Sequence, residues 1–234
     1  MSDKEQRTRL RVAVHDGAQL VTLLRTERLL DDGGELQLIG DGLVAALAAK
    51  TQGAAETAAA CAEKLRERGW LGDDELADQL EARLGTRPAP MLRPLPIDLE
   101  ELAMVLEGDH LSEGGRIDLR TGEVRPEFTF DYAMTGVEPD DEDEDPDRWL
   151  RVWCEGSRAA YGDMEDFIDT RTDPDWADRL SIAIQGRGAF RRFKDVLSRS
   201  PDEFEEWHAF ADERQRGRAR FWLAGEGYCV APKR

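Results

Sequence analysis

Four prolines within Thr86 to Pro96, at positions 88, 90, 94 and 96, set the first limit on how this chain folds. Proline fixes φ, lacks an N–H and pushes the preceding residue out of the helical region, so no helix crosses the stretch. It predicts an extended, semi-rigid connector, dividing the 234 residues into a segment 1–85, a linker 86–96 and a segment 97–234. With 40% hydrophobic residues the chain has apolar surface enough for a core without disulfides. Cys61, Cys154 and Cys229 are far apart and form no C-x-x-C, which predicts reduced thiols, a cytoplasmic location and no structural zinc. The start, Met1 to Arg7, is polar, and no later run approaches the roughly 18 apolar residues of a membrane helix.

Before the linker, Leu10 to His15 alternates like a strand, Gln19 to Leu30 reads as a helix, and Asp31-Asp32-Gly33-Gly34 reads as a turn into a short strand, Glu35 to Ile39. Leu43 to Ala49, Ala54 to Arg68 and Asp73 to Leu84 have helical periodicity, with Gly69 and Gly85 as stops. After the linker, Asp98 caps a helix carrying Leu99, Leu102, Ala103 and Leu106. Arg116 to Arg120 and Glu123 to Arg125 flank Thr121-Gly122 as a hairpin, and Arg148 to Trp153 supplies a third strand. From Gly156 onward four helices are expected, two of them opened by Asp173-Pro174 and Ser200-Pro201. The fold class is therefore α+β: a small amino-terminal α/β domain, then a domain with a short antiparallel sheet and a carboxy-terminal helical bundle.

Six ordered blocks carry a family resemblance. They are Ile97 to Ala103, Ile117 to Val124, Pro146 to Arg151, Met164 to Ile168, Gly186 to Asp195 and Trp207 to Phe210. Together they resemble the bacterial uncharacterised protein family zero-one-five-eight over about Ile97 to Val230. The resemblance implies a soluble bacterial α+β module and carries over no reaction. Trp207-His208 stands where a Trp-Tyr pair is more usual, which bears on any hydroxyl-dependent role there.

The formal net charge is −18, and ten carboxylates between Glu127 and Asp147, with no Lys or Arg among them, supply more than half of it. Their core, Glu138 to Asp147, reads as a solvated loop and lacks the central glycine of a calcium-binding EF-hand. Such a balance disfavours broad duplex-DNA binding, which depends on phosphate neutralisation. One compact basic run opposes it. Gly186, Arg187, Gly188, Arg191, Arg192 and Lys194 form either an interhelical turn whose cations pair with acidic neighbours or an anion site at a helix start, with Phe190 or Trp207 near enough to stack on a base. Asp163, Asp166 and Asp169 share a helix face and offer either salt-bridge partners or a weak metal or acid/base site. His15 beside Asp16 is a weaker acid/base pair still.

No nucleophile has a motif partner, and neither a cofactor nor a metal site is legible. The chain reads first as a non-catalytic cytoplasmic binding or regulatory protein whose acidic surface meets a basic protein partner. The alternative is an RNA- or nucleotide-phosphate-binding module built on Gly186 to Lys194. A metal-assisted hydrolase on the three aspartates is the weaker third reading.

Overall fold

In the computed structural model, which describes residues 3–27, 29–30, 33–108, 114–130 and 145–232, the described residues of the amino-terminal segment are helical or in turns. Its helices are α1 (Asp3–Ala13), α2 (Gly17–Glu27), α3 (Leu36–Ala48), α4 (Ala54–Arg68) and α5 (Asp73–Leu84). The strands expected at Leu10 to His15 and Glu35 to Ile39 are thus corrected to helix, and this part is α rather than α/β. Burial shows why: Leu10 and Ala13 are inside while Val12 is 64% exposed, which is helical rather than alternate spacing. In α3 the burial of Leu36, Ile39, Leu43 and Val44 follows the same rule. Gly40 and Gly42 look like helix breakers, yet they are where neighbouring helices press closest. A Cβ on Gly42 would lie 2.6 Å from a methyl of Leu20, and one on Gly40 2.9 Å from Leu76 Cγ. Helices α4 and α5 end where expected, at Gly69 and Gly85, with φ 63° and 74°.

The proline-rich stretch is extended only in part, and its end is a strand, β1 (Arg93–Leu95). Asp98 caps α6 (Leu99–Leu106) by accepting from Glu100 N at 2.9 Å. The hairpin is present as β2 (Gly115–Asp118) and β3 (Val124–Pro126), and β4 (Trp149–Val152) pairs antiparallel with the other side of β2. Gly122 holds the turn at φ 77°, against the backbone of Pro96, where a side chain would have no room.

The carboxy-terminal helices are α7 (Arg158–Asp169), α8 (Pro174–Ala183), α9 (Ala189–Leu197) and α10 (Pro201–Gly225). Asp173 caps α8 through Asp175 N at 3.0 Å, whereas Ser200 precedes Pro201 without a side-chain cap bond. The chain then returns as β5 (Tyr228–Val230), parallel to β1 with Arg93 opposite Tyr228 and Leu95 opposite Val230. The α+β class holds for the whole chain.

Three apolar clusters result. One lies among α1 to α5; a second joins β1, α6, the three-stranded sheet and the end of α10; the third joins α7, α8, α9 and the start of α10. Phe167, Phe193 and Trp207 sit inside the third, edge-to-face at 4.8 to 6.4 Å, so these three rings are core.

Helix α10 touches α3, α5, α6, α7, α9 and β5. Gly217 brings it against the Leu71 carbonyl and Gly72, so its backbone meets the α4–α5 turn directly. Gly217→Ala, despite alanine's better helix propensity, is expected to destabilise by about 1–3 kcal/mol. Gly162→Ala, in α7 with open space around the added methyl, is expected to stabilise by about 0.5–1 kcal/mol. Urea unfolding of the two variants checks this opposition of sign.

Candidate functional site

The basic junction and the three aspartates do not meet. Asp163 is buried, and its two carboxylate oxygens accept from Arg214 Nε at 3.0 Å and from Arg218 at 2.9 and 2.7 Å. Exposed Asp166 accepts from Arg214 at 2.6 Å, while Asp169 points to solvent. The partners of this carboxylate face are therefore arginines of α10 and not Arg187, Arg191 or Lys194 of the basic junction. A buried carboxylate already paired with two guanidinium groups has its charge answered by cations of the chain itself. Among the described residues no group of three or more His, Cys, Asp or Glu is placed to hold a metal ion.

At the junction, Gly186 and Gly188 both take φ 76° and make the turn between α8 and α9. Arg192 folds back over that turn. Its guanidinium donates to the carbonyls of Ala183, at 3.0 Å, and of Gln185 and Arg187, a cation set on the negative end of α8. Arg191 lies 3.9 Å from Asp195 on an exposed surface. Arg187 and Lys194 are exposed and make no ion pair among the described residues. His15 is exposed, and Asp16 caps α2 through Ala18 N at 3.0 Å and Gln19 N at 3.1 Å, so the two do not form an acid/base pair. Cys61 is fully buried, and burial pushes its thiol well above the usual range, which makes it inert. His110 and residues 138–144 of the acidic run lie outside the described residues.

What the chain does build is a cleft of about 580 Å³ between the amino-terminal helices and the carboxy-terminal ones. A volume of that size is in the range of small-molecule sites, and boundaries between structural units are where such sites occur. Its apolar walls include Leu10, Leu29 and Ile39 on one side and Phe167 and Phe210 on the other. Trp70 stands edge-on to Phe210 at 5.3 Å, with the guanidinium of Arg68 4.3 Å from its ring centre.

The floor is ionic. Glu213 of α10, buried, accepts from Gln37 N at 2.8 and 2.9 Å, from Leu38 N at 3.2 Å and from Arg68 at 3.1 Å. The first two donors are orphan N–H groups at the start of α3, where no side chain of its own caps the helix. Thus α10 supplies the cap of α3 across the chain. Arg68 also grips buried Asp73 at 2.7 Å, and Gln37 joins Asp73 at 2.9 Å to Arg220 at 2.7 Å. Arg220 continues to Asp41 at 2.6 Å. Burial pushes the Glu213 carboxyl up to about 7, against the pull of Arg68 and the two backbone donors.

Sequence reasoning missed Glu213, Arg68, Trp70 and Glu35. The signal was present in α10, where Glu213 and Arg220 fall at helical spacing on the buried face with Trp207 and Gly217. Charges on an apolar face mark a buried ionic contact.

Comparison with known proteins gives a family match over part of the chain. Residues 137–231 match the model of the Uncharacterised protein family (UPF0158), so the resemblance read from the blocks holds over the carboxy-terminal part of the chain. The chain is 28% identical over 137 residues to the UPF0158 protein PA5073 of Pseudomonas aeruginosa, covering 56% of this chain and 84% of that relative. The family match begins after the first two blocks, Ile97 to Ala103 and Ile117 to Val124, and takes in the other four. No solved structure matches the chain.

Two outcomes follow from the ionic geometry. Asp163→Asn removes the buried carboxylate shared by Arg214 and Arg218, which keep Asp166 and Glu107 as counter-ions, and is expected to cost about 1–3 kcal/mol in urea unfolding, whereas exposed Asp169→Asn is expected to leave stability within about 0.5 kcal/mol. Glu213, whose folded value lies above its ordinary 4.5, contributes stability that is full below that pH and lost as pH rises through about 7. The stability of the wild type relative to Glu213→Gln is therefore expected to fall between pH 5 and 7 and to level off above, as read by urea unfolding across that window.

Proposed function

We propose that this is a non-catalytic cytoplasmic binding protein with a regulatory role, and that the cleft over Arg68 and Glu213 is where a small molecule docks. The observation that carries this reading is the state of the buried charges. Asp163, Asp73 and Glu213 are each held by arginine or by backbone N–H groups. None is paired with a nucleophile, while an aromatic-walled space of about 580 Å³ stays open over Glu213. General acid/base work needs a group free to exchange its proton with a substrate; two of these carboxylates are neutralised in place, and the third is locked at a helix start. The division into 1–85, 86–96 and 97–234 is part of the proposal, supported by a first apolar cluster drawn wholly from Leu10 to Leu84. The net charge of −18 favours a basic protein as the macromolecular partner that such a regulator would meet.

A thermal-shift screen with small molecules grouped as anions, cations, zwitterions and neutral compounds tests the reading. Stabilisation by at least one group, lost in Trp70→Ala, is expected. Turnover of a phosphoester or acyl substrate that depends on Asp163 would overturn it.

A second reading is favoured by one observation, the exposed and unpaired Arg187 and Lys194 beside the Gly188 start of α9, which has no side-chain cap. There an RNA or nucleotide phosphate meets free N–H groups and two cations, although Arg192 is already committed to carbonyls of its own turn. If that site operates, single-stranded RNA binding weakens steeply between 50 and 200 mM salt and is reduced in Arg187→Ala. Equal affinity of variant and wild type dismisses it.

A further inference from the structure

Two charged groups on the cleft wall stand apart from the ionic floor. Glu35, at the start of α3, has a side chain only 10% exposed, yet the cation nearest to it is Arg11, whose Nε stays 3.6 Å away. The same Arg11 donates from Nη2 to Asp212 at 2.9 Å, so its fork is turned toward another carboxylate. Glu35 lines both this cleft and an adjoining one of about 450 Å³, and therefore faces open space on either side. Burial holds its carboxyl above the ordinary value, against the pull of the Arg11 and Arg7 charges. Arg7, one turn before Arg11 on α1, lines the first cleft and makes no hydrogen bond or ion pair among the described residues.

Every other cleft charge is matched. Arg68 is held by Asp73 and Glu213, and Arg171 is held by Glu203 at 2.8 Å and Glu206 at 2.6 Å. What remains is one under-bonded carboxylate and one free guanidinium, close enough that the Arg7 charge acts on Glu35, beside the rings of Trp70 and Phe210. We infer that the cleft binds a zwitterionic small molecule of the amino-acid type, with its ammonium on Glu35, its carboxylate on Arg7 and an aromatic body against Trp70 and Phe210. Neither a simple anion nor a simple cation fits as well, because either leaves one of the two groups unanswered while a zwitterion answers both. The chemistry is recognition alone, with no bond made or broken. This inference rests on the binding reading above and names its ligand class.

The test is calorimetry on the full chain with four probes: phenylalanine, tryptophan, phenethylamine, which lacks the carboxylate, and 3-phenylpropionate, which lacks the amine. The amino acids are expected to bind at least about tenfold more tightly than either truncated probe. Glu35→Gln is expected to lose that advantage over 3-phenylpropionate while binding 3-phenylpropionate as the wild type does; Arg7→Met is expected to do the same with respect to phenethylamine. Both residues lie at a cleft wall, and circular dichroism confirms that each variant folds. A truncated probe binding as well as phenylalanine, or unchanged amino-acid affinity in Glu35→Gln, overturns the inference. If none of the four probes binds while another class stabilises the protein in the thermal-shift screen, the zwitterion assignment alone falls. Silence in both experiments removes the binding reading with it.

Discussion

The carboxylate of Glu213 on the first N–H groups of α3 is the contact on which the rest of the molecule depends. A helix start buried without acceptors is costly, and α3 begins beneath other helices with Glu35 making no side-chain cap bond. An acceptor brought from 176 residues along the chain meets that need. It also fixes α10 over α3, and Arg68 then binds the same carboxylate and ties in Asp73 and the α4–α5 turn. Arg68, Arg220 and Arg216 face Asp73, Glu213 and Asp41, with Glu100 as a further partner of Arg216, so each ion of this network has a counter-ion. Pairing matters more than number here, because a lone buried ion is far more costly than a paired one.

That arrangement explains why the cleft exists. With α10 held at α3 by polar contacts and at the α4–α5 turn by the close approach of Gly217, the upper parts of α1 and α7 are left spaced apart. The aromatic rings of the third cluster reach the gap through Phe167 and Phe210, 5.6 Å apart, and Trp70 completes the wall from the amino-terminal side. The cleft is thus continuous with one hydrophobic cluster and floored by the ionic network of another.

Much of this was legible in the residues. Helices with a strong stop were read to the residue, as at Ala54–Arg68 and Asp73–Leu84, because positive-φ glycines end them. The hairpin and the caps at Asp98 and Asp173 were likewise local chemistry. The two amino-terminal segments Leu10 to His15 and Glu35 to Ile39 read as strands because windows of five or six residues rich in Val, Leu and Ile do not separate periods of 2 and 3.6, and because Gly40 and Gly42 serve close approach rather than turning. The site was less legible. Asp163 stood out as one of a row of carboxylates, but its partners lie 51 and 55 residues away on α10. Arg192 stood out for its charge, while its role is set by three carbonyls that have no signature in sequence. Glu213 and Glu35 acquire their meaning only from what folding removes from water.

Helix α10 has one further consequence. Its 25 residues make an unbroken rod of about 37 Å that borders the cleft near Phe210, seals the ionic floor at its middle and leads directly into the β5–β1 pairing at its far end. Such a rod has no hinge along its length. A displacement at one end is therefore transmitted as a whole-body tilt, and occupancy of the cleft and the geometry of the sheet edge about 22 Å further along the rod become one mechanical variable.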